Sequence, residues 1–336
     1  MLGRASQQCL GSPIHVQHVR VRRSTPASSR RLVVRAASDQ VYRTISSNFE
    51  VAVLVADATG VVSDAARRHK TAPTSTAALG RLLAGTLLLG CFKKDNEQTQ
   101  VSFQGDGEIG VMQAIADDKG MIRGRVGNPA ANAPIRGDGK LDVGRIVGKG
   151  VVTVVRSRPD LPQPYTGIVP IHSGEVAEDL AYYLMNSEQT NSALALGVAV
   201  NTDGSVRSAG GFLIEVLPSA SEKTISCLEE TLRGIPTVTD MLNDGLSSGE
   251  IAGKLLDGLG DSEDATVILP KFGPCGPEEL EKNMLRVLAL LGEKEVKDIM
   301  ETEGKLEVTC EFCNESFQFT EEQVLAELEE MGANRH

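Results

Sequence analysis

Tryptophan is absent from this 336-residue chain, aromatic residues make up 4% of it, and cysteines number six. Proteins that bind single-stranded nucleic acid by stacking need several exposed aromatic rings, so this kind of partner is disfavoured. The cysteines are too few and too unevenly spaced for a disulfide scaffold. Three of them, Cys275, Cys310 and Cys313, lie in the last fifth of the chain, where we expect any thiol or metal chemistry.

Acidic residues are missing from the first 38 positions, which contain seven arginines and many Ser, Ala and Val residues. This segment also lacks an apolar stretch long enough for a secretion signal. It therefore predicts an organellar transit peptide over residues 1–38, directed to the chloroplast stroma or, alternatively, to the mitochondrial matrix. A disordered basic arm that binds nucleic acid is the competing interpretation. The whole chain has 34 basic and 45 acidic residues, so the part after residue 38 is strongly acidic and is expected to repel nucleic acid.

Long hydrophobic runs are also absent. The longest run, residues 77–90, is interrupted by Arg81 and is shorter than the roughly 20 residues that cross a bilayer. We therefore predict a buried helix here and no interaction with a membrane.

Composition divides the rest of the chain into three parts. Residues 39–219 are rich in glycine and β-branched residues, and their alternating segments, separated by helical patterns, predict a large α+β domain. Residues 220–270 have the spacing of short amphipathic helices with few apolar positions per turn, which predicts a helical linker that detaches easily. Residues 271–336 predict two helices, two strands around the cysteine pair and a closing helix. The fold class is therefore α+β, with a small zinc-knuckle-like module at the C-terminal end.

Two other patterns carry no function in this interpretation. The "GDGEIG" segment, residues 105–110, matches the glycine spacing of a dinucleotide-binding turn. The residues after it predict a strand instead of the required helix, so a β-hairpin is the better interpretation. His69 and His172 are not part of a recognisable nucleophile motif, and we assign both to packing.

The C-x-x-C of Cys310 and Cys313 is the most informative motif. In thioredoxin-like enzymes this motif opens a helix, whose N-terminus lowers the thiol pKa. Here the motif lies between two predicted strands, with Asn314 suited to a left-handed turn, which is the setting of a zinc knuckle. A structural zinc site needs four ligands, and this part of the chain offers three thiols and no nearby histidine. Half of a metal site and a dithiol that closes to a disulfide both remain open.

Several long stretches give the chain a specific resemblance. Beyond residue 40 it resembles the heat shock protein 33 family, the redox-regulated holdase chaperones. The stretches that carry the resemblance include "RRHKTAPTSTAALGRLL", "QGDGEIG", "GMIRGRVGNP", "GKLDVGRIVGKG", "PYTGIVPIHSGEVAEDLAYYLMNSEQTNSALALGVAV", "VRSAGGFLIEVLP" and "GKLEVTCEFCNESFQF".

The resemblance implies a switch made of three parts. In the family, a reduced C-terminal module binds zinc through a C-x-C and a C-x-x-C, and the chaperone is inactive. Oxidants together with unfolding conditions convert these thiols to two disulfides and release the metal. The module and the linker then unfold, dimers are favoured, and apolar surface binds unfolding clients without ATP.

The family's C-x-C is not preserved in this chain. The C-x-x-C corresponds to Cys310 and Cys313, but "FGPCGPEEL" supplies only Cys275. The resemblance therefore implies Cys275, Cys310 and Cys313 as zinc ligands and leaves the fourth position to water, to Glu278 or to a thiol of a second subunit. Losing one ligand removes much of the free energy of such a site, so we expect weakened zinc binding in the reduced state.

The sequence thus predicts an ATP-independent, redox-regulated holdase of the stress response, and not an enzyme. Oxidation is expected to join Cys310 to Cys313 and to favour a homodimer, leaving Cys275 to pair with Cys227, another subunit or glutathione. Because the metal site is weakened, partial activity is expected even in the reduced state. Unfolded or partly unfolded clients are expected on apolar faces under the 220–270 linker. A thiol-disulfide oxidoreductase that uses the C-x-x-C is the alternative function, and a non-redox scaffold is a third.

Overall fold

The computed structural model describes residues 39–260, 265–273 and 277–333. The predicted transit peptide and Cys275 lie outside the described residues, as does the side chain of Glu278. The strands are β1 (Gln40–Ile45), β2 (Val51–Asp57), β3 (Gln98–Gly105), β4 (Val111–Asp117), β5 (Met121–Val126), β6 (Gly150–Ser157), β7 (Tyr165–Pro170), β8 (Ser192–Val200), β9 (Val206–Val216), β10 (Thr266–Ile268), β11 (Lys271–Phe272), β12 (Leu306–Thr309) and β13 (Ser316–Phe319). The helices are α1 (Thr59–His69), α2 (Pro73–Cys91), α3 (Val143–Val147), α4 (Ala177–Asn186), α5 (Glu222–Gly234), α6 (Val238–Asn243), α7 (Ser248–Leu255), α8 (Pro277–Ala289), α9 (Glu293–Glu303) and α10 (Glu321–Ala333).

Two sheets enclose helix α2. The six-stranded sheet has the order β11-β5-β4-β3-β6-β7, and the five-stranded sheet has the order β10-β1-β2-β9-β8. Neighbouring strands in both sheets are antiparallel, except that β11 runs parallel to β5. Helix α2 contacts both sheets and is almost entirely buried, so it forms the centre of the main core. This arrangement confirms the predicted α+β class.

Helix α2 contains the apolar run 77–90 and confirms the predicted buried helix. It begins at Pro73, in the first turn, where a missing N–H costs nothing. Glycines let it approach its neighbours closely, since a Cβ on Gly80 would lie 2.6 Å from Val62 Cγ1. With 19 residues it is longer than the run and, by length and composition, could cross a membrane, but 94% of its apolar window is buried inside the protein. Such a helix, apolar on all sides, belongs to a protein core.

The "GDGEIG" segment forms the connection between β3 and β4, which pair as an antiparallel hairpin. Backbone hydrogen bonds fix this turn, because Gly107 N donates to Val147 O at 3.1 Å and Ile109 N donates to Ile146 O at 3.0 Å. The segment opens no helix, so the hairpin interpretation is confirmed.

The 220–270 linker covers the outer face of the five-stranded sheet. Its helices α5, α6 and α7 each begin at a Ser or Thr whose side chain accepts a hydrogen bond from a backbone N–H of the first turn. These three N-caps are Ser221, Thr237 and Ser247. The linker does not end as a helix, because β10 pairs with β1 and extends the sheet by one strand. Three residues are too few to show a strand period in the sequence.

The C-terminal module consists of α8, α9, the β12–β13 hairpin and α10. Its own core is small and contains Leu288, Ala289, Val296, Leu306, Phe319 and Val324. Helix α10 starts with a capping box, in which Gln323 N donates to Thr320 Oγ1 at 3.2 Å and Thr320 N donates to Gln323 Oε1 at 2.8 Å. The residues that the structure describes, from Asp39 onward, belong to one compact unit, so the module lies against the larger domain. A core of this size needs a further source of stability.

Candidate redox site

The cysteine pair lies in a tight turn between β12 and β13, as the sequence predicts. Cys310 directly follows β12, and its N–H donates to Glu315 O at 2.9 Å. Asn314 N donates to Cys310 O at 2.7 Å, which closes the turn around both cysteines. Asn314 has a φ of 52°, in the left-handed region that Asn tolerates better than most residues. We call residues 310–315 the cysteine turn.

The two thiols differ in exposure and in acidity. Cys313 is 1% exposed, whereas Cys310 is half-buried, and both are free thiols. The Cys313 thiol donates a hydrogen bond to the Cys310 sulfur, which lowers the pKa of Cys310 to about 5, and the positive charge of Arg123 acts in the same direction. The pKa of Cys313 is raised, because this thiol keeps the shared proton and is buried. Cys310 is therefore the accessible thiolate, and Cys313 is its protonated partner.

One side of the cysteine turn contacts the C-terminal end of α1 in the large domain. His69 Nε2 lies 3.2 Å from the carbonyl oxygen of Phe312, and Asn314 Nδ2 donates to Arg68 O at 2.6 Å. The Arg68 guanidinium also forms an ion pair with Glu315, with Nη1 3.6 Å from Oε2. These contacts join residues almost 250 positions apart in the sequence. They therefore bind the module to the large domain, in addition to stabilising the turn itself.

The other side of the cysteine turn contacts β5. The guanidinium groups of Arg123 and Arg125 lie over the Phe312 ring, at 5.7 and 5.6 Å from its centroid. Arg125 Nη1 is also 2.6 Å from Glu311 Oε2. Cation–π contacts of this kind stabilise by about 0.5 to 1 kcal/mol each at exposed sites. We call Arg68, His69, Arg123 and Arg125 the docking residues.

The sequence alone did not identify the docking residues. His69 is buried, as the packing assignment requires, and its ring also meets Phe272 edge-on at 6.5 Å between centroids. Its contact with Phe312 had no signal in the sequence. His172 stacks on Tyr182, with centroids 5.9 Å apart, which supports packing for this second histidine. One usable signal existed in "MIRGRV", where the period of a strand places Arg123 and Arg125 on the same face.

The described residues supply two of the predicted metal ligands. Cys310 and Cys313 have the spacing and the turn of half a tetrahedral zinc site. Across the described ranges, no group of three His, Cys, Asp or Glu side chains could hold a metal ion. Cys275 lies outside these ranges, so the third predicted ligand is not placed. The described residues alone thus fit a dithiol and do not complete a zinc site.

A covered apolar face lies on the five-stranded sheet, beneath the linker. The sheet contributes Val51, Val53, Val55, Phe212 and Ile214. The linker contributes Leu228, Val238, Met241, Ile251, Ala252, Leu255 and Leu256. Each of these side chains is at most 5% exposed. Only one stripe of each helix is buried, so the cover depends on the sheet for its stability.

Comparison with known proteins places the molecule in a class. The protein called 33 kDa chaperonin from Clostridioides difficile is 40% identical over 295 residues, which is 87% of this chain and 99% of that protein. The 33 kDa chaperonin of Bacillus subtilis is 36% identical, over 85% of this chain and 97% of its own. The crystal structure of the 33 kDa chaperonin from Thermotoga maritima, a heat shock protein 33 homologue, superposes with a TM-score of 0.79 at 28% identity, covering 88% of this chain and 99% of that one. These relatives, at 36–40% identity over most of the chain, define the class of this protein as a chaperone.

Residues 39–320 match the family described as Hsp33 protein. This chain belongs to the Hsp33 family, which confirms the resemblance found in the sequence.

Proposed function

We propose that this chaperone is an ATP-independent holdase whose client surface is controlled by oxidation of Cys310 and Cys313. The single observation that carries the proposal is the cysteine turn, which combines an accessible thiolate with direct contacts to the large domain. Family membership supports binding of unfolded or partly unfolded clients, since the family consists of chaperones. The family is one of chaperones and not a family of enzymes, so we assign no catalytic residue to the holdase.

The proposed chemistry uses peroxide as the oxidant. The Cys310 thiolate attacks one oxygen of hydrogen peroxide, the O–O bond breaks, and a sulfenic acid and hydroxide form. The Cys313 sulfur then attacks the Cys310 sulfur, loses its proton and displaces a second hydroxide, which leaves a disulfide. The two sulfurs give up two electrons, Cys313 supplies one proton, and the solvent supplies the second proton, so the products are one disulfide and two waters. Half-burial of Cys310 gives the oxidant access.

Oxidation is proposed to weaken the docking of the module. The Cys310 thiolate is a negative charge beside Arg123, and the disulfide is neutral, so one attraction between turn and domain is lost. Closing the disulfide also draws the two sulfurs from hydrogen-bonding distance to about 2.0 Å, so at least one of them leaves its present position. Both changes act within the cysteine turn, next to Phe312 and Asn314, which contact the docking residues.

Release of the module is proposed to loosen the linker. Strands β10 and β11 connect the linker to the module and pair with β1 and β5 of the large domain. Strand β11 is only two residues long. When helices α5 to α7 leave, the covered apolar face becomes available to clients. Each linker helix buries one apolar stripe on the sheet and has no core of its own, so its stability depends on staying docked.

We propose that the reduced chain binds a zinc ion weakly, through the side chains of Cys310, Cys313 and Cys275. When bound, zinc would keep the thiolates together and add its binding free energy to the folding of the module. The test is metal content and free-thiol count on the reduced protein without its first 38 residues. One zinc per chain that resists a chelator would contradict weak binding.

The same chain is proposed to act in the chloroplast stroma, as the arginine-rich first 38 residues suggest. Fusing residues 1–38 to a fluorescent protein and following import into isolated chloroplasts tests this proposal. Import into mitochondria alone would move the proposed location to the mitochondrial matrix.

A homodimer is proposed for the oxidised form, and light scattering before and after peroxide treatment tests it.

The functional test is suppression of aggregation of a heat-unfolded client by the reduced and the peroxide-treated chain. We expect stronger suppression after oxidation in the wild type and no change on oxidation in Cys310→Ser/Cys313→Ser. Cys227→Ser is a second comparison, which asks whether a Cys275–Cys227 pair contributes; it should keep the response to oxidation if the cysteine turn alone controls activity. Equal full activity of the reduced and oxidised wild type would contradict redox control. No activity in either state would contradict the holdase.

A thiol-disulfide oxidoreductase is the second candidate, because the pKa of Cys310 is low enough for a reactive thiolate. The motif precedes a strand instead of opening a helix, which weighs against it. Turnover of a disulfide substrate with glutathione or thioredoxin as reductant separates the two. Turnover by the wild type that Cys310→Ser abolishes would favour the enzyme.

A further inference from the structure

Strand β8 is an open edge of the five-stranded sheet. It pairs with β9 on one side, and no strand among the described residues pairs with its other side. Its nine residues, "SALALGVAV", include no charged residue and no proline. Natural proteins usually protect a strand edge with lysine, proline or a bulge. Here the only irregularity in the pairing falls at the end of the strand, between Ala199 and Val200.

The exposure of β8 is confined to its edge. A strand with one covered face alternates between buried and exposed residues, but all nine residues of β8 are half-buried. Leu194, Leu196 and Val198 pack against the main core, and Ala193 and Ala195 pack against the cluster beneath the linker. Both faces are therefore covered, and the part of the strand that meets solvent is its backbone edge.

The hydrogen-bond register identifies the backbone groups at this edge. Val216 N donates to Asn191 O at 2.8 Å, next to the pair formed by Ser192 and Glu215. In an antiparallel pair, hydrogen-bonded and non-bonded residues alternate. Every second residue of β8 after Asn191 therefore bonds to β9, and the residues between them direct their N–H and C=O groups outward. These outward residues are Ser192, Leu194, Leu196 and Val198.

The open edge continues into the covered apolar face. Helix α6 lies over β8, where a Cβ on Gly197 would be 2.7 Å from Thr239 Cγ2. A strand added beside β8 would therefore place every second side chain on the same face as Ala193 and Ala195. When α6 leaves, that face and the edge form one surface with both apolar area and unpaired backbone groups.

We propose that an extended segment of an unfolding client adds to the β8 edge as a further strand. The proposal rests on the holdase function proposed above and specifies how the client is bound. An unfolded chain offers unpaired backbone donors and acceptors together with apolar side chains, and an uncharged edge next to an apolar face matches both. Backbone pairing does not depend on client sequence, which suits a chaperone that binds many proteins.

Hydrogen exchange read residue by residue tests the proposal on the oxidised chain. The probe is reduced, carboxymethylated α-lactalbumin, which stays unfolded in solution. Without the probe, the outward amides of Leu194, Leu196 and Val198 should exchange quickly, and those of Ala193 and Ala195 slowly. With the probe bound, the outward amides should slow at least tenfold. Outward amides that are slow without the probe, or unchanged with it, would overturn the proposal.

A pair of variants gives an independent readout. Leu194→Pro removes one outward N–H, and Leu194→Ala removes most of the same side chain but keeps that N–H. We expect the proline variant to bind the probe at least fivefold more weakly than the alanine variant, and equal binding would contradict the proposal. If Leu194→Pro does not fold, the exchange experiment on the wild type decides. Aggregation suppression without any change at β8 would refute the edge alone, whereas no suppression at all would refute the holdase itself.

Discussion

Docking of the cysteine turn is expected to depend on Arg123 and Arg125. Replacing both with glutamine removes two cation–π contacts with Phe312, at 5.7 and 5.6 Å, each contributing about 0.5 to 1 kcal/mol. The ion pair of Arg125 with Glu311 adds little, because Glu311 is largely exposed. The double variant should therefore weaken docking by about 1 to 2 kcal/mol, which is a factor of about 5 to 30 in the equilibrium.

The assay uses Cys313 as a probe of opening, because its side chain is 1% exposed while the turn is docked. The rate of its alkylation in the reduced chain is measured by mass spectrometry and divided by the rate for the same variant in urea, which removes differences in intrinsic reactivity. We expect this ratio to rise about 5- to 30-fold in the double variant. Arg207→Gln, an exposed arginine in β9, is the matched control and should leave the ratio unchanged. A change of less than twofold in the double variant would refute the role of these arginines in docking.

Three further predictions follow from individual residues. Alkylation of Cys310 should persist from pH 8 down to about pH 5 and decline below it, because its thiolate is lost only near a pKa of about 5. Cys91, with a pKa of about 12, should stay unreactive in the folded chain. A midpoint near pH 8.5 for Cys310 would contradict the lowered pKa of this thiol. Met241→Ala should weaken the packing of the linker on the sheet by about 2 to 5 kcal/mol and so raise holdase activity in the reduced state. Met185→Ala, at an exposed methionine, should leave the reduced activity unchanged. Unchanged reduced activity in Met241→Ala would argue against the linker as a cover. Asn314→Ala should destabilise the hairpin by about 1 kcal/mol, because alanine tolerates a φ of 52° less well and because the hydrogen bond from Asn314 Nδ2 to Arg68 O is lost. Amide exchange in β12 and β13 should accelerate several-fold, and unaltered exchange would contradict both contributions.

Much of the fold could be predicted because it depends on local patterns. The alternation in β2, β3 and β6 and the long apolar run of α2 specify strands and a buried helix from their own residues. Strands β10 and β11 could not be predicted in this way. They are three and two residues long, and they exist because distant β1 and β5 supply their hydrogen-bond partners.

The candidate site also combines features set by neighbouring residues with features set by distant ones. The strand–turn–strand setting of Cys310 and Cys313, with Asn314 in a left-handed conformation, follows from neighbouring residues and could be predicted. The contact between His69 and Phe312 spans 243 positions and arises only when the module docks, so neither residue carried a sign of it. The sequence thus predicted the cysteine pair and its turn, and the structure added the surface of the large domain that the turn contacts.

The most direct test of redox control is to measure holdase activity and the Cys310–Cys313 disulfide in the same samples along a peroxide titration. Mass spectrometry gives the fraction of chains with this disulfide, and suppression of client aggregation gives the activity. We expect activity above the reduced baseline to rise in proportion to the disulfide fraction. Full activity reached before the disulfide forms, or a complete disulfide without any gain in activity, would contradict control by the cysteine turn.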